Sequence, residues 1–527
     1  MTLSENKGVV NLKVIELVKK YNIQILIIVF LIIGTAIRLI DIGKVPNALN
    51  VDEASTGYEA YSIMKYGIDR AGNSYPVYLY AWGSGQSALY SYLMIPFVAV
   101  FGLSEFAIRL PMAIIGVISL IVFYYLIKNI FDNKKIAIVG LAIFAICPWH
   151  IMKSRWGMEC NIFPDIILFA TLLLVLGIKK KKNWLQILSF VILGISSYSY
   201  STSYLFLPIF VILTLAYLIY KKELTVKKSI LYLLIMFVVC IPILLYICVN
   251  SFGLDSIKIF GITIPRLASN RYEEISTVFS GNIYENCVNN LLELSRIILL
   301  QNDNLEWNAI KGFGLFYNIS IIFFFIGIWN SIKKYKDNEF NQIMNIWMIS
   351  SIILGAFTIA NINRINIIMI PCLYYIAIGL YEIIHKYRTM LPCIVIIYVY
   401  MFVNFAIVYW HKDYNQYYTF TSGIKEVAEY CKQSNAENVY CEYSFKEPFI
   451  YFMFYTKADV HEYIETVQYF KENRNFDNIK SYGKYKFYLP DDVEEGSIVV
   501  VKNDEHLKYN QEPKEVRRVN QFDIYVY

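Results

Sequence analysis

Long apolar runs separated by short lysine clusters constrain this chain more than any other feature of its sequence. The first run extends from Ile23 to Ile40, and runs of similar length recur as far as residue 410. A helix of roughly twenty apolar residues is long enough to cross a bilayer whose hydrocarbon core is about 30 Å thick. Hydrophobic residues make up 57% of the 527 positions and charged residues only 17%. The sequence therefore predicts an all-α polytopic membrane protein that retains its first helix.

The lysine clusters predict which loops lie in the cytoplasm, because short basic loops are retained on that side of the membrane. They alternate with apolar runs that predict about eleven crossing helices. These runs are 23–40, 107–127, 136–149, 161–178, 184–200, 203–220, 229–250, 313–332, 342–360, 365–384 and 390–410. The alternation holds only if 88–101 does not cross, so we expect a re-entrant or interfacial helix there. The amino terminus is then cytoplasmic and the carboxy terminus lies outside.

The predicted outer segments carry most of the unusual polar residues. These segments are 43–106, 150–161, 253–312 and the tail from 411, and they are rich in acidic residues, arginine and tyrosine. Such a surface above a helical bundle is typical of an active-site cavity. The helix interiors carry few ionisable residues, which argues against an ion-coupled pathway. The net charge of +6 arises from lysines between the runs and indicates no nucleic-acid partner.

Asp52 and Glu53 lie shortly after the first run, in a segment too polar for lipid. A carboxylate held just outside a membrane span can act as a general base. The same pair could instead cap a helix over 54–64, since acidic residues are favoured near a helix amino terminus. The residues alone leave both interpretations open.

A set of motifs carries a resemblance to a known family. The motifs are Val51-Asp52-Glu53-Ala54-Ser55, Tyr58-Glu59-Ala60, Gly67-Ile68-Asp69, Leu89-Tyr90, Phe101-Gly102-Leu103-Ser104-Glu105 and Arg109-Leu110-Pro111. They resemble the amino-terminal module of the GT-C glycosyltransferases. Within that superfamily they are most similar to the protein mannosyltransferase and aminoarabinose transferase group, whose members take a sugar from a polyprenyl phosphate. The resemblance is strongest over residues 20–200, extends to 410 and is absent from the tail.

The resemblance implies roles for particular residues. It places Asp52 at the catalytic aspartate of the family and Glu53 beside it as a second catalytic candidate. It also implies cations around the donor phosphate, because guanidinium groups match phosphate oxygens well. We expect Arg266, Arg271 and Arg364 in this role. Arg266 and Arg271 could equally anchor lipid headgroups.

Two further motifs bear on the donor phosphate. Asn363-Arg364 with Ile370-Pro371 resembles the late Arg-to-Pro motif of bacterial members. At the start of 88–101, Gly85-Gln86 replaces an acidic-basic pair that some relatives carry. Binding of the lipid phosphate would then have to depend on other residues.

Further residues are expected to line the outer cavity: Tyr58, Gln86, Arg155, Glu159 and Asn161. Arg155 and Glu159 are four positions apart and could instead form an exposed pair on a helix surface. Trp82, Trp149 and Trp156 are expected in an interfacial aromatic belt. The pattern requires no cofactor, and it leaves open a Mg²⁺ or Mn²⁺ ion at Asp52 and Glu53.

The tail, residues 411–527, has a different pattern and predicts a small extracytoplasmic α/β domain. Residues 423–433 have helical spacing, 438–443 and 497–502 are typical of strands, and 490–492 indicate a turn. Cys431 and Cys441 are the only cysteines of this segment, and their pairing in a disulfide is left open.

The sequence thus predicts a GT-C transmembrane catalytic domain over 1–410 in a plasma membrane. The predicted reaction transfers a sugar from a polyprenyl-phosphate-linked donor to a hydroxyl group on the outer face, with undecaprenyl phosphate as the expected carrier. The acceptor is a protein, a lipid or a cell-envelope glycan, and neither it nor the sugar can be named. The alternatives are a flippase of lipid-linked saccharides, which should show internal repeats, and a lipid-linked oligosaccharide polymerase or ligase.

Overall fold

A computed structural model of the protein describes residues 23–82, 84–267, 281–305, 307–411, 414, 421–443, 447–470, 479–503, 507 and 509–527. Through residue 410 the described chain is mostly helical. Its helices are α1 (Ile23–Leu39), α2 (Val51–Tyr66), α3 (Leu89–Phe101), α4 (Glu105–Phe131), α5 (Lys134–Ile146), α6 (Pro148–Lys153), α7 (Glu159–Lys179), α8 (Asn183–Ser196), α9 (Ser203–Tyr220), α10 (Val226–Ser251), α11 (Ile283–Leu300), α12 (Ser320–Lys333), α13 (Glu339–Ala356), α14 (Ile362–Lys386) and α15 (Leu391–Trp410).

Among the described residues, six helices are long and apolar enough to cross a membrane, namely α4, α7, α9, α10, α14 and α15, the last together with the turn before it. The multi-pass helical architecture is therefore confirmed. Shorter apolar helices include α1, α3, α8 and α12. Each run that we expected to cross coincides with a helix, but the number of about eleven crossings stays a prediction.

Two predicted spans have different ends in the structure. The run 313–332 becomes helical only at Ser320, because the turns before it contain Gly312 and Gly314 with φ of 94° and 72°. The run 136–149 ends as helix at Ile146. Cys147 is extended, as expected for the residue before a proline, and Pro148 begins the next helix.

Helices α12 and α14 pack with their backbones in contact. A Cβ atom at Gly327 would overlap the Tyr375 carbonyl oxygen, and one at Gly379 would overlap that of Phe323. Small residues at such crossings let membrane helices approach closely and gain van der Waals contact. The two glycines therefore set the distance between these helices.

Replacing Gly379 by alanine should destabilise the bundle by about 1–3 kcal/mol, because the added methyl group forces the two helices apart. Thermal unfolding in detergent would measure the effect. Ala99→Val, which adds carbon at an exposed position on α3, is the control and should change the melting temperature little. Equal melting temperatures for wild type and G379A would contradict the close contact.

Two small hairpins join the outer segments. Strands β1 (Tyr78–Leu79) and β2 (Gln86–Ser87) pair antiparallel, as do β3 (Ile257–Ile259) and β4 (Ile262–Ile264). The Thr263 backbone connects the two hairpins, because its N–H donates to Ser74 and its carbonyl accepts from Val77. The first and third predicted outer segments are therefore held together.

The tail forms a mixed α/β domain, as predicted. Its helices are α16 (Ile424–Gln433), α17 (Pro448–Thr456) and α18 (Val460–Thr466). Its further strands are β5 (Asn438–Cys441), β6 (Gln468–Tyr469), β7 (Ile479–Tyr482), β8 (Tyr485–Lys486), β9 (Ser497–Lys502), β10 (Glu515–Val519) and β11 (Phe522–Val526). Among the described residues they form one sheet in the order β10-β11-β9-β5-β8-β7-β6, with β5 parallel to both of its neighbours. Cys431 and Cys441 are free buried thiols, so a disulfide between them is ruled out in this structure.

The tail shares a hydrophobic core with α2, α3 and the start of α4. Helix α17 is buried along its whole length and packs against α2. Phe454 of α17 lies 2.8 Å from the position of a Cβ atom at Gly57 of α2. The side chains of the tail thereby contact the helix whose first turn contains Asp52 and Glu53.

Candidate functional site

Asp52 lies in the first turn of α2, directly after the Asn50 cap. The Asn50 side chain accepts a hydrogen bond from the Asp52 backbone N–H, which fixes where the helix begins. The Asp52 carboxylate is half-buried, and its Oδ1 accepts a hydrogen bond of 3.0 Å from Trp82 Nε1. Trp82 is 5% exposed, so its expected place in an interfacial belt is wrong. Its indole instead orients the carboxylate that the sequence singled out.

Glu53 is buried and bonded on both oxygens. Arg109 of α4 donates to Oε1 from Nε at 2.8 Å and to Oε2 from Nη2 at 2.9 Å. The backbone N–H of Gly157 donates to Oε1 and that of Asn50 to Oε2. Both partners of the ion pair are fully buried. Glu53 thus joins α2, α4 and the loop before α7, which favours a structural role over proton transfer.

Arg155 and Glu159 are also buried, so an exposed helix-surface pair is wrong for them. The Arg155 guanidinium donates to the carbonyls of Ile37, Arg38 and Val45, at the carboxy-terminal end of α1 and just after it. It also lies 4.7 Å from the Trp410 ring centroid. Arg155 thereby joins the ends of α1 and α15.

Glu159, Gln86 and Tyr58 occupy different surroundings. Glu159 accepts from the Ser87 backbone N–H of β2. The Gln86 side chain is buried, and its Oε1 has no hydrogen-bond partner among the described residues. The Tyr58 hydroxyl donates to the Ala458 carbonyl of the tail at 2.9 Å, so it contributes to the domain contact. Burial raises the pKa of this phenol.

A buried network of charged side chains lies beside the loop that precedes α7. The sequence did not predict it. Asp165 of α7 accepts from Lys153 Nζ at 2.5 Å and lies 3.4 Å from His150 Nε2. The other ring nitrogen of His150 is 2.6 Å from Arg38 Nη2. Burial lowers the pKa of His150 well below its usual range, and the two nearby cations lower it further, so the ring is neutral. The network therefore joins α1, α6 and α7 with two cations and one carboxylate.

Asn161 lines a small cavity near this network. The cavity has a volume of about 20 Å³, and Trp149, Lys153, Trp307 and Asn363 also line it. This volume is enough for one or two water molecules but not for a sugar. Asn161 is therefore placed beside Lys153, whose Nζ donates to its carbonyl at 3.0 Å.

The three predicted phosphate-binding arginines are placed unequally. Arg266 is half exposed and lies 3.7 Å from the Asp255 carboxylate. Arg271 lies outside the described residues. The Arg364 side chain donates to the Ile359 carbonyl at 3.3 Å, at the start of α14. The phosphate role of these residues stays a prediction.

The chain is similar to known proteins both in sequence and in structure. Residues 86–246 match the sequence model of the dolichyl-phosphate-mannose-protein mannosyltransferase family. The structure resembles the Archaeoglobus fulgidus oligosaccharyltransferase with a TM-score of 0.53 and 12% identity, over 81% of this chain and 61% of that one. It resembles ArnT from Cupriavidus metallidurans with a TM-score of 0.53 and 11% identity, over 82% of this chain and 84% of that one. The chain has the GT-C fold.

The resemblance to the GT-C superfamily predicted from the sequence is thereby confirmed. The family match covers less than half of the chain, and the chain spans 61% of the length of the archaeal protein. Its sequence alone matches no curated protein. Similarity therefore establishes the GT-C fold and not the activity.

An apolar cavity of about 360 Å³ lies between α9 and α10 of this GT-C chain. Leu207, Phe237 and Ile243 are among its lining residues, together with Tyr204. Cys240 and Ile243 of the lining pack in one hydrophobic cluster with Tyr78. Tyr78 of β1 in turn stacks on Tyr246 of α10 at 4.2 Å between ring centroids. The cavity therefore adjoins the β1–β2 hairpin, and Trp82 lies between these two strands.

A divalent metal does not fit the surroundings of Asp52 and Glu53. Both oxygens of Glu53 already accept hydrogen bonds, and each of them accepts one from the Arg109 guanidinium group. Within the described ranges there is no group of three or more histidine, cysteine or acidic side chains that could hold an ion. The archaeal relative was crystallised with zinc and sulfate. Among the described residues, the side chains around Asp52 do not supply the several oxygen ligands that Mg²⁺ or Mn²⁺ requires.

Proposed function

We propose that this protein is a membrane glycosyltransferase that transfers a sugar from a polyprenyl-phosphate-linked donor to an acceptor hydroxyl group. The single observation that carries the proposal is the Asp52 carboxylate, held half-buried by Trp82 at the start of α2. Trp82 follows β1, whose Tyr78 stacks on Tyr246 of α10, and α10 lines the apolar cavity together with α9. A lipid-linked donor requires both a base for the acceptor hydroxyl and an apolar surface for its isoprenoid chain.

The apolar cavity supports a lipid-linked donor in particular. Its volume of about 360 Å³ lies within the range of about 300–1,000 Å³ typical of ligand sites. An isoprenoid chain has no polar groups, so it can lie against such a lining without leaving a polar group unpaired. Glu159, which accepts from Ser87, and Gln86, whose Oε1 has no hydrogen-bond partner among the described residues, are the polar side chains proposed to contact the donor headgroup. ArnT has been solved with undecaprenyl phosphate, which supports this class of donor.

The chemistry follows from a base and a phosphate leaving group. Asp52 accepts the proton of the acceptor hydroxyl as its oxygen forms a bond to the anomeric carbon of the sugar. The bond between that carbon and the phosphate oxygen breaks, and its electron pair leaves with polyprenyl phosphate. Trp82 holds one oxygen of Asp52, so the carboxylate is oriented before the acceptor binds. Arg266, Arg271 and Arg364 are the proposed cations for the leaving phosphate.

The proposed location is the outer face of a plasma membrane, with the amino terminus in the cytoplasm. It rests on the alternation of lysine clusters and apolar runs. The tail, which packs on α2, then lies outside, where it would contact the acceptor. Undecaprenyl phosphate is the proposed carrier, and the sugar and the acceptor are open.

The proposal is tested with purified protein in lipid nanodiscs and a panel of radiolabelled polyprenyl phosphate sugars. Release of free polyprenyl phosphate that requires one sugar and an added acceptor is expected. Movement of labelled lipid between leaflets of vesicles without release would instead establish a flippase. Products that carry several sugar units from one lipid would establish a polymerase or ligase.

Phe449 of α17 should influence the reaction through Trp82. The two rings are in edge contact, 6.3 Å between centroids, and Trp82 in turn donates to Asp52. Replacing Phe449 by leucine frees the indole to move, and a small misplacement of a catalytic group can cost up to about 10²-fold in rate. We expect kcat to fall about tenfold with KM nearly unchanged.

The matched control for Phe449→Leu is Phe452→Leu. Phe452 is equally buried in α17 but contacts Tyr485 and Phe487 instead of Trp82. Both variants lose the same ring, so a general loosening of the tail would lower kcat in both. An equal loss in the two variants would contradict a path from the tail through Trp82 to Asp52.

A further inference from the structure

Helix α11 has two separate apolar faces, and only one of them packs on the protein. Asn290, Leu294 and Ile297 are buried. A second face, formed by residues at spacings of four, four and seven, remains exposed: Tyr284 is 79%, Val288 39%, Leu292 64% and Leu299 51% exposed. These spacings place the four side chains on one side of a helix. An apolar stripe of this length on a protein surface marks an interaction site.

The position of α11 follows from its contacts with α13. The Asn290 side chain donates to the Ala356 carbonyl at 3.0 Å, and Leu294 lies 2.7 Å from the position of a Cβ atom at Gly355. Gly355 and Ala356 are the last residues of α13, at the end that the topology predicts to be outside. Helix α11 therefore crosses the outer end of a predicted membrane-spanning helix.

The remaining side of α11 is polar. Glu293 and Arg296 form a bidentate pair with distances of 2.6 Å and 2.7 Å, and Glu285 and Asn289 are exposed on the same side. The helix thus has one side on the protein, one polar side and one exposed apolar side. This distribution is typical of a helix that lies in the boundary between lipid and water.

We propose that α11 lies in the outer surface of the bilayer, with Tyr284, Val288, Leu292 and Leu299 inserted among the lipid headgroups and the first chain carbons. The occupant of the apolar stripe is the lipid surface. Ile349 and Ile352 of α13, just below the crossing, are 49% and 40% exposed and continue the apolar surface into the membrane. The ion pair on the other side fits water above the headgroups.

Insertion of α11 would also set the height of Arg364. The chain leaves α11 and reaches Asp303, whose Oδ2 accepts from the Ile362 backbone N–H at 2.9 Å and from Asn308 at 2.8 Å. Asp303 therefore holds the first turn of α14, which carries Arg364. A helix fixed in the lipid surface would keep this arginine at the level of phosphate groups.

The test places one nitroxide label on α11 in lipid nanodiscs of phosphatidylethanolamine and phosphatidylglycerol. Cys248, Cys287 and Cys393, the cysteines that are not buried in the structure, are first replaced by serine. Labels at Leu292→Cys and, independently, Tyr284→Cys probe the apolar stripe, and Asn289→Cys probes the polar side as the matched control. Collision with oxygen, which concentrates in lipid, is compared with collision with a water-soluble nickel chelate.

We expect the labels at 284 and 292 to favour oxygen several-fold and the label at 289 to favour the nickel chelate. Equal access of the nickel chelate to all three positions would overturn the proposal. Protection of 284 and 292 from both reagents would also overturn it, because a protein partner or a second copy would then cover the stripe. The readout needs no substrate, so its outcome is independent of the proposed glycosyltransferase activity.

Discussion

Replacement of Asp52 by asparagine should lower the rate of sugar transfer by about 10²- to 10⁴-fold, the usual contribution of a general base. Asparagine has nearly the same size and keeps an oxygen that can accept from Trp82 Nε1, which lies 3.0 Å from Oδ1. It cannot take a proton from the acceptor. The fold should therefore be retained while the chemical step is lost. Single-turnover release of polyprenyl phosphate from the donor identified in the panel would measure this step.

Asp41→Asn is the control for this substitution. It makes the same chemical change at an exposed residue just after α1, where no proton transfer is proposed. Its rate should equal that of the wild type. If D52N and D41N both turn over at the wild-type rate, Asp52 has no part in catalysis and another base must be sought.

Breaking the pair between Glu53 and Arg109 should cost about 3–5 kcal/mol of folding stability, because one buried charge is left without a partner. Glu53→Gln leaves the Arg109 guanidinium, which is fully buried, without its carboxylate. Arg109→Met leaves the carboxylate alone. Both effects would be measured by denaturant unfolding in detergent.

The double variant separates the interaction energy between Glu53 and Arg109 from the effect of each single substitution. Since E53Q and R109M each leave an unpaired charge, the variant carrying both should be less destabilised than the sum of the single losses. Glu495→Gln removes a carboxylate from an ion pair exposed on both sides and should leave stability unchanged. A variant E53Q that unfolds like the wild type but transfers no sugar would instead assign Glu53 to the chemistry.

The contrast between Asp52 and Glu53 illustrates how far a local pattern can be interpreted. Adjacent acidic residues after an apolar run predicted a helix start. Helix α2 begins there, with Asn50 as its cap and with Glu53 completing the capping box. The pattern could not distinguish the two carboxylates. Arg109 pairs with Glu53 and thereby distinguishes the two carboxylates, but it lies 56 positions away from Glu53. Its motif was part of the family resemblance, but nothing local indicated its partner.

Arg155, in the predicted second outer loop, shows the same limit. The spacing of Arg155 and Glu159 left open a surface pair or a place in the cavity, whereas the structure directs Arg155 to backbone carbonyls of α1. A long side chain can reach in several directions. Only the packing of neighbouring helices decides which direction is available.

The sequence by itself determined the helical membrane architecture, the α/β tail and the position of Asp52 at a helix start. These features depend on residues that are neighbours along the chain, because the length of an apolar run and a capping residue act within a few turns. The tertiary structure alone decided that Trp82 holds Asp52, that Arg109 neutralises Glu53 and that α17 packs on α2. Such contacts join residues far apart in sequence, and their free energy exists only after the helices have packed.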